Sequence, residues 1–444
     1  MNELLFARAQ MAMFFAFHIA FAVAGMGMPL LMIIAEAAHL RTGKPVFLEL
    51  AKRWARGTAV LFAVGAVSGT VLSFELGLLW PRFMSFAGGI IGLPFALEGF
   101  AFFAEAIFLG IYLYGWGRVS PVSHLLSGVA VALAGVLSGV LVIAANAWMN
   151  SPAGFVLRDG IPVEIDPIAA MVNPAWATEA THMTLAAFAA SGFAVAGIHA
   201  YMLLRDRENL FHRHALSIAL AVGGAAAVLL PVSGDFNARF IARDQPVKLA
   251  AMEGQFRTER GAPLRIGGIP DEETETTRYA IEIPKGLSLL AFHDPEAEVA
   301  GLSAVPRADR PDPLPVHLAF QLMAACGAAL AVVSLFAAAF ALAGGERLFR
   351  PRFLRTVILC SPLGVLAVEA GWTVTEMGRQ PWAIRGVLRT MDASTPVAGL
   401  LLPFAFFSVL YLALAVSAAW LLRREVAQSP SFPAGGDGVG ASKE

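Results

Sequence analysis

Nine apolar runs, each long enough to cross a lipid bilayer, leave this chain few folds to choose from. A spanning helix needs about 20 mostly apolar residues. The runs at 11–35, 57–78, 88–115, 125–149, 181–204, 215–233, 316–343, 355–376 and 396–422 meet that length. Helix is the conformation they predict, because hydrocarbon offers no partner to a backbone group, and each group left unpaired costs several kcal/mol. Only 15% of the 444 residues are charged and 57% are hydrophobic, against about a quarter charged in an ordinary soluble domain. The expected fold class is therefore all-α, a polytopic membrane bundle of nine transmembrane helices. A net charge of −1 gives no reason to expect a nucleic-acid partner. Cys326 and Cys360 lie in separate apolar runs with no close second Cys and no CxxCH, so a disulfide framework, a zinc site and a c-type haem are unsupported. The first run is too long for the apolar core of a cleaved signal peptide.

The widest break, 234–315, is polar, carries both charge signs and includes the acidic cluster Asp271, Glu272, Glu273 and Glu275. It reads as an extramembrane loop between helices over 1–233 and helices over 316–427, with a Gly/Ser/Pro-rich disordered tail at 428–444. Lys and Arg near span ends set orientation. One face collects Arg41, Lys44, Lys52, Arg53 and Arg56, then Arg118, Arg205, Arg207 and Arg213, then Arg347, Arg350, Arg352, Arg355, Arg423 and Arg424. The other, the long loop aside, has Arg8, Arg82, Arg158, Arg379, Arg385 and Arg389. The first face is expected to be cytoplasmic, the N-terminus and the long loop periplasmic, and the C-terminus cytoplasmic.

Ionisable groups inside a span are costly and mark function by default. His18, Glu75, Glu98, Glu105, His182 and Glu369 are such groups. A lone intramembrane His equally often bonds a neighbouring carbonyl, and His199, close to a span end, suits that role. His39, His124, His212 and His214 are expected in loops. Glu98 and Glu105 stand seven residues apart, which returns them to one helix face about 10 Å apart along the axis. Two carboxyls in register can relay a proton, because burial favours their neutral form; the plainer reading is two hydrogen bonds to adjacent helices. His182 opens the fifth run and Met323 lies early in the seventh, at the outer level. A His and a Met from two helices can ligate a low-spin haem iron, although Met323 alone is ordinary core in a chain with 15 Met. His18 and Glu369 also lie in the outer halves of their runs, where a haem with one strong protein ligand keeps a position open for oxygen.

Several blocks resemble one family along the whole chain. Glu369-Ala370-Gly371-Trp372 followed by Gly378-Arg379-Gln380-Pro381-Trp382 is very similar to the EAGW…GRQPW block of cytochrome bd quinol oxidase subunit I. Arg8-Ala9-Gln10, the stretch around Glu98-Gly99 and Glu105, Ala145 to Pro152, Thr181-His182-Met183 and Lys248 to Glu253 follow in the family's order. The resemblance implies His182 and Met323 as axial ligands of a low-spin haem b. It implies His18 and Glu369 as ligands of two high-spin haems, a haem b and a haem d, with the assignment between them open. Glu98 would sit beside the oxygen-reducing haem and Glu105 on a proton route from the cytoplasm. Lys248 and Glu253 would bind quinol or accept its protons, though a spacing of five does not put both on one helix face. Arg379 and Trp382 would serve haem electrostatics and packing.

By the same resemblance the chain is a quinol:oxygen oxidoreductase of the bacterial inner membrane, working with a second subunit and a small single-span accessory subunit. Its cofactors would be two haem b and one haem d. The loop is similar to that of the short, cyanide-insensitive branch, in which haem b can stand in place of haem d. Where the family often has Phe-Arg-x-Met before the low-spin Met, this chain has Phe320-Gln321-Leu322-Met323; losing that Arg removes a fixed charge beside a haem. A proton-coupled transporter would also bury Glu and His but predicts duplicated broken helices, which the sequence lacks. A haem b quinone-linked electron carrier without oxygen chemistry is the other alternative.

Overall fold

The computed structural model describes residues 3–394, 399–430 and 432. Its helices, in chain order, are α1 (Glu3–Thr42), α2 (Pro45–Leu79), α3 (Pro81–Tyr114), α4 (Pro121–Asn150), α5 (Pro167–Met171), α6 (Trp176–Arg205), α7 (Leu210–Asp244), α8 (Pro246–Glu253), α9 (Gly286–Phe292), α10 (Pro313–Leu342), α11 (Pro351–Cys360), α12 (Leu363–Met377), α13 (Thr390–Ala393) and α14 (Leu401–Ala427). Among the described residues nine helical segments are long and apolar enough to cross a membrane, the eighth being α11 and α12 together. Proline stands at the start of α2, α3, α4, α8, α10 and α11, where its missing N–H is no loss. Ser120, Asn209 and Asp312 cap α4, α7 and α10 by accepting from first-turn N–H groups.

The spans outrun their apolar cores. α7 continues to Asp244, about three helical turns past the point where the polar composition alone would end it. The eighth span is interrupted at Ser361-Pro362, where proline removes a helical hydrogen bond. His39, His124, His212 and His214, expected in loops, all lie on helices, and His124 and His212 are buried. The loop reading fails because capped helix ends carry on into polar sequence. Most of 428–444 lies outside the described residues.

Sequence neighbours α1/α2, α3/α4 and α6/α7 pack as antiparallel pairs, and α6 is the most enclosed span, with 67% of its core window buried, against 11% for α14. Small residues permit the closest approaches: a Cβ on Gly192 of α6 would lie 2.5 Å from Gly223 Cα of α7, and one on Gly364 of α12 would lie 2.5 Å from Ala190 Cα. The segment after α8 folds into nested antiparallel strand pairs. β1 (Glu259–Arg260) pairs with β6 (Glu298–Val299), β2 (Leu264–Ile266) with β5 (Ile281–Ile283), and β3 (Ile269–Asp271) with β4 (Thr276–Arg278). It packs on the ends of α7 and α10.

Candidate haem, quinol and proton sites

His18 of α1 and His182 of α6 are held by the same device. His18 Nδ1 lies 2.9 Å from Ser68 Oγ of α2, and Ser68 Oγ donates to the Gly65 carbonyl at 3.1 Å. His182 Nδ1 lies 2.9 Å from Ser233 Oγ of α7, which donates to the Leu230 carbonyl at 3.0 Å. A hydroxyl has one proton, so each serine that donates to a carbonyl accepts from the histidine. Nδ1 therefore carries the hydrogen in both rings, and Nε2 keeps a lone pair, the form in which imidazole ligates a metal. Glycine stands beside each ring: Gly69 next to His18 and Gly234 next to His182.

Met323 of α10 lies against α12, where a Cβ on Gly371 would come within 3.0 Å of its sulfur. Glu369, two residues earlier on α12, forms no side-chain hydrogen bond or ion pair among the described residues. The Trp372 ring stands 5.4 Å from Phe15, and its buried Nε1 lacks an acceptor.

Three blocks separated in sequence meet in one polar chain at the C-terminal ends of α4 and α12. Lys248 Nζ donates to Asn150 Oδ1 at 3.0 Å, Asn150 donates to Asn146, Asn146 Nδ2 donates to Glu376 Oε1 at 2.7 Å, and Arg379 Nη2 donates to Glu376 Oε2 at 2.6 Å. Arg379 is buried with Nε and Nη1 unpaired, two charged donors that suit an anion such as a porphyrin carboxylate. Gly378 is explained by space: a Cβ there would stand 3.0 Å from Lys248 Cγ. Gln380 accepts from Thr390, and Trp382 lies under the Arg389 guanidinium at 4.6 Å. Asn150, Lys248, Arg379, Gln380, Trp382 and Arg385 are among the residues around a cavity of about 560 Å³.

Lys248 and Glu253 do not share that cavity. Both belong to α8, but Glu253 is turned towards Arg265, with its Oε2 buried and unpaired, as their spacing of five implied. Burial lowers the Lys248 ammonium to about 8, against a smaller opposing pull from Glu179, and raises the Glu253 carboxyl to about 8 in spite of Arg265. Gln321, the departure beside Met323, bonds the Arg265 carbonyl and the Gly267 N–H, each at 3.0 Å, and so ties α10 to the strand segment. His317 does the same, its ring nitrogens facing the Met252 and Gly267 carbonyls at 2.8 and 3.0 Å.

On α3, Glu98 accepts from Ser138 of α4 at 2.9 Å, whereas Glu105 is buried with Oε1 unpaired between Gly25 and Gly135. Glu75 accepts from Gln10 at 3.1 Å, a plain hydrogen-bonding role. His199 sits between Trp54 Nε1 at 3.3 Å and His212 Nδ1 at 2.9 Å, a satisfied core histidine. Sequence reasoning missed Ser68, Ser233, Glu376 and His317. Only a helical-face argument could have reached the serines: Ser68 lies seven residues before Glu75, on the face turned to α1.

The profile of the cytochrome bd terminal oxidase subunit I family matches residues 6–430. A Bacillus subtilis (strain 168) protein provisionally named cytochrome bd menaquinol oxidase subunit I is 36% identical, the match covering 95% of this chain and 96% of that protein. The Bacillus subtilis cytochrome bd ubiquinol oxidase subunit 1 is 30% identical, covering 96% of this chain and 94% of that protein. The solved bd oxidase of Geobacillus thermodenitrificans superposes with a TM-score of 0.91 at 38% identity, covering 97% of this chain and 99% of that one.

Proposed function

Because this chain belongs to the cytochrome bd terminal oxidase subunit I family, we propose residue by residue how it binds haem, oxidises quinol and delivers protons to oxygen reduction. Membership makes it the subunit of a multi-subunit, haem-containing quinol oxidase that spans a bacterial membrane. His182 and Met323 are the ligands of a low-spin haem b, and His18 and Glu369 each serve one of two high-spin haems. The full complement is two haem b and one haem d, or haem b throughout. Bound there, haem supplies one-electron transfer and the site of oxygen reduction. The protein's part is to orient the ligands, exclude competing acceptors and manage protons.

The observation that carries the reading is the shared Ser-backed histidine, which leaves an Nε2 lone pair on each of two rings that hydrocarbon would otherwise exclude. The unpaired Arg379 donors supply the complement to a haem carboxylate. Quinol docks at the cavity beside Lys248 and Arg379. Lys248, an N–H donor there, suits a quinol oxygen, and Glu253 accepts a proton on its way outward. Protons for water formation come from the opposite side through Glu105 and Glu98.

The N-terminus and the strand segment face the periplasm and the C-terminus the cytoplasm. A second membrane subunit and a small single-span subunit complete the enzyme. The test is a reduced-minus-oxidised spectrum of the purified oxidase, with and without carbon monoxide, for the parent and His182→Ala. The parent is expected to show haem b bands and a carbon monoxide shift, and the variant to lose the low-spin component alone. A low-spin band that survives His182→Ala overturns the ligand assignment, and a parent without a carbon monoxide shift overturns the oxygen chemistry.

A further inference from the structure

The α3 stripe that holds Glu98 and Glu105 does not stop there. Another step of seven residues reaches Tyr112, on the same face. α4 runs antiparallel to it and supplies a glycine opposite each of the last two groups. A Cβ on Gly128 would lie 2.7 Å from the Tyr112 ring, and one on Gly135 would lie 3.4 Å from Glu105 Oε1. Seven residues along α3 thus match seven back along α4, and the two glycines of α4 let the Tyr112 ring and the Glu105 carboxyl pack directly against its backbone. Side chains on a helix lean towards its N-terminus, so Tyr112 leans towards Glu105.

Beyond Tyr112 lies a buried acid–base pair. Glu36 of α1 and His124 of α4 are 2% and 3% exposed, with Glu36 Oε1 2.7 Å from His124 Nδ1. His124 Nε2 lies 2.9 Å from the Tyr112 carbonyl, which can only accept, so Nε2 carries a hydrogen. The contact between Nδ1 and Oε1 then needs a proton of its own, held by the ring or by the carboxyl. The Tyr112 and His124 rings are 4.5 Å apart. The Tyr112 hydroxyl lies beside Glu36, yet neither it nor Glu36 Oε2 completes a hydrogen bond, and Glu105 Oε1 completes none either. Three buried, unpartnered oxygens along one seam are the sort that ordered water satisfies.

We propose that Glu36, His124 and Tyr112 form the intake of the proton route that continues through Glu105 and Glu98. The inference rests on the reading of Glu105 and Glu98 given above. The Glu36–His124 pair holds the incoming proton. It passes from Glu36 to the Tyr112 oxygen, directly or through water, while the Tyr112 hydroxyl proton moves on to the Glu105 carboxylate. The hydroxyl returns unchanged, and the pair is refilled from the arginine-rich face, since exposed Ser123 lies one residue before buried His124.

Tyr112→Phe separates this role from a structural one. It deletes a hydroxyl that lies beside Glu36 without completing a hydrogen bond and leaves the ring against Gly128, so the fold should be retained. Glu36→Gln keeps an oxygen for His124 and removes the transferable proton. The complete oxidase carrying Tyr112→Phe, Glu36→Gln or Glu105→Gln is assayed for quinol-driven oxygen consumption and its solvent deuterium isotope effect, with haem spectra as the fold control. All three variants are expected to turn over at least about tenfold slower, a floor below the roughly 10²- to 10⁴-fold that positioned proton transfer contributes, with parental spectra and an enlarged isotope effect. Parental turnover in Tyr112→Phe and Glu36→Gln with a slow Glu105→Gln overturns the intake and leaves the Glu105 route standing. Parental turnover in Glu105→Gln overturns the route itself, and the intake with it.

Discussion

A histidine can offer iron a lone pair only from the nitrogen that carries no proton, so whatever fixes the tautomer governs ligation as much as the position of the ring does. Ser68 and Ser233 do this for His18 and His182, and each is itself fixed by a backbone carbonyl one turn back. Ser68→Ala and Ser233→Ala are therefore expected to weaken haem retention about 10- to 100-fold, the usual effect of losing such a support. Haem per polypeptide after detergent wash measures it; full occupancy in both variants would mean the rings are held by packing alone. Glu253 carries a second prediction. With its pKa raised to about 8, it is protonated at neutral pH and becomes a base only above that value. If it accepts a quinol proton, turnover rises between about pH 7 and 9 and the rise disappears in Glu253→Gln. Lys248 also titrates near 8, so Lys248→Gln is the control: its rate is lower but keeps the rise. A rise that persists in Glu253→Gln removes that residue from the proton exit. The charged and sulfur-bearing groups of this site were legible in the sequence because lipid makes them expensive. The serines were not, because a serine in a span can always bond its own backbone and so announces nothing.

At the scale of elements, apolar length was sufficient to find the nine spans among the described residues and insufficient to end one. α7 runs on to Asp244 and α1 begins well before its apolar run, since a capped helix end is satisfied in water as well as in lipid. The break at Ser361-Pro362 leaves the hydropathy of the eighth span intact and was invisible for that reason. The strands after α8 are two or three residues long, too short for an alternating pattern to declare itself. Close helix crossings were hinted at by composition and located only by the structure. Where α6 meets α7, Gly192 faces Gly223 with backbone on both sides, so no flexible side chain can give way. Gly192→Val is expected to cost at least about 1–3 kcal/mol, the usual range for overpacking, and to lower the thermal inactivation temperature of the purified oxidase. The same change at Gly77, where a Cβ meets nothing within 4 Å, should be silent. Equal stability of the two variants would refute the claim that backbone contact sets the α6–α7 spacing.

For the whole molecule, the two ends of the bundle hold different chemistry. The Lys248–Arg379 chain and its cavity sit with the strand segment at one end, and Glu36 and His124 sit near the opposite ends of α1 and α4. On the proposed function, electrons taken from quinol at the first end and protons gathered at the second would meet inside the bundle, and each turnover would separate charge across the membrane without a pump. That outcome depends on which end faces out. Arg and Lys gather where α1 meets α2, α6 meets α7 and α10 meets α11, and again at the C-terminal end of α14, the positive excess expected of a cytoplasmic face. Tyr279, in the strand segment, is 88% exposed, and Leu342, at the far end of α10, is 90% exposed. With Cys326 buried and Cys360 half-buried, a new thiol at either position should dominate labelling by a membrane-impermeant maleimide. Tyr279→Cys is expected to label in intact spheroplasts and Leu342→Cys only after the membrane is opened. The reverse pattern would put quinol oxidation on the cytoplasmic side and proton intake on the outer one, and the voltage generated by this oxidase would then have the opposite sign.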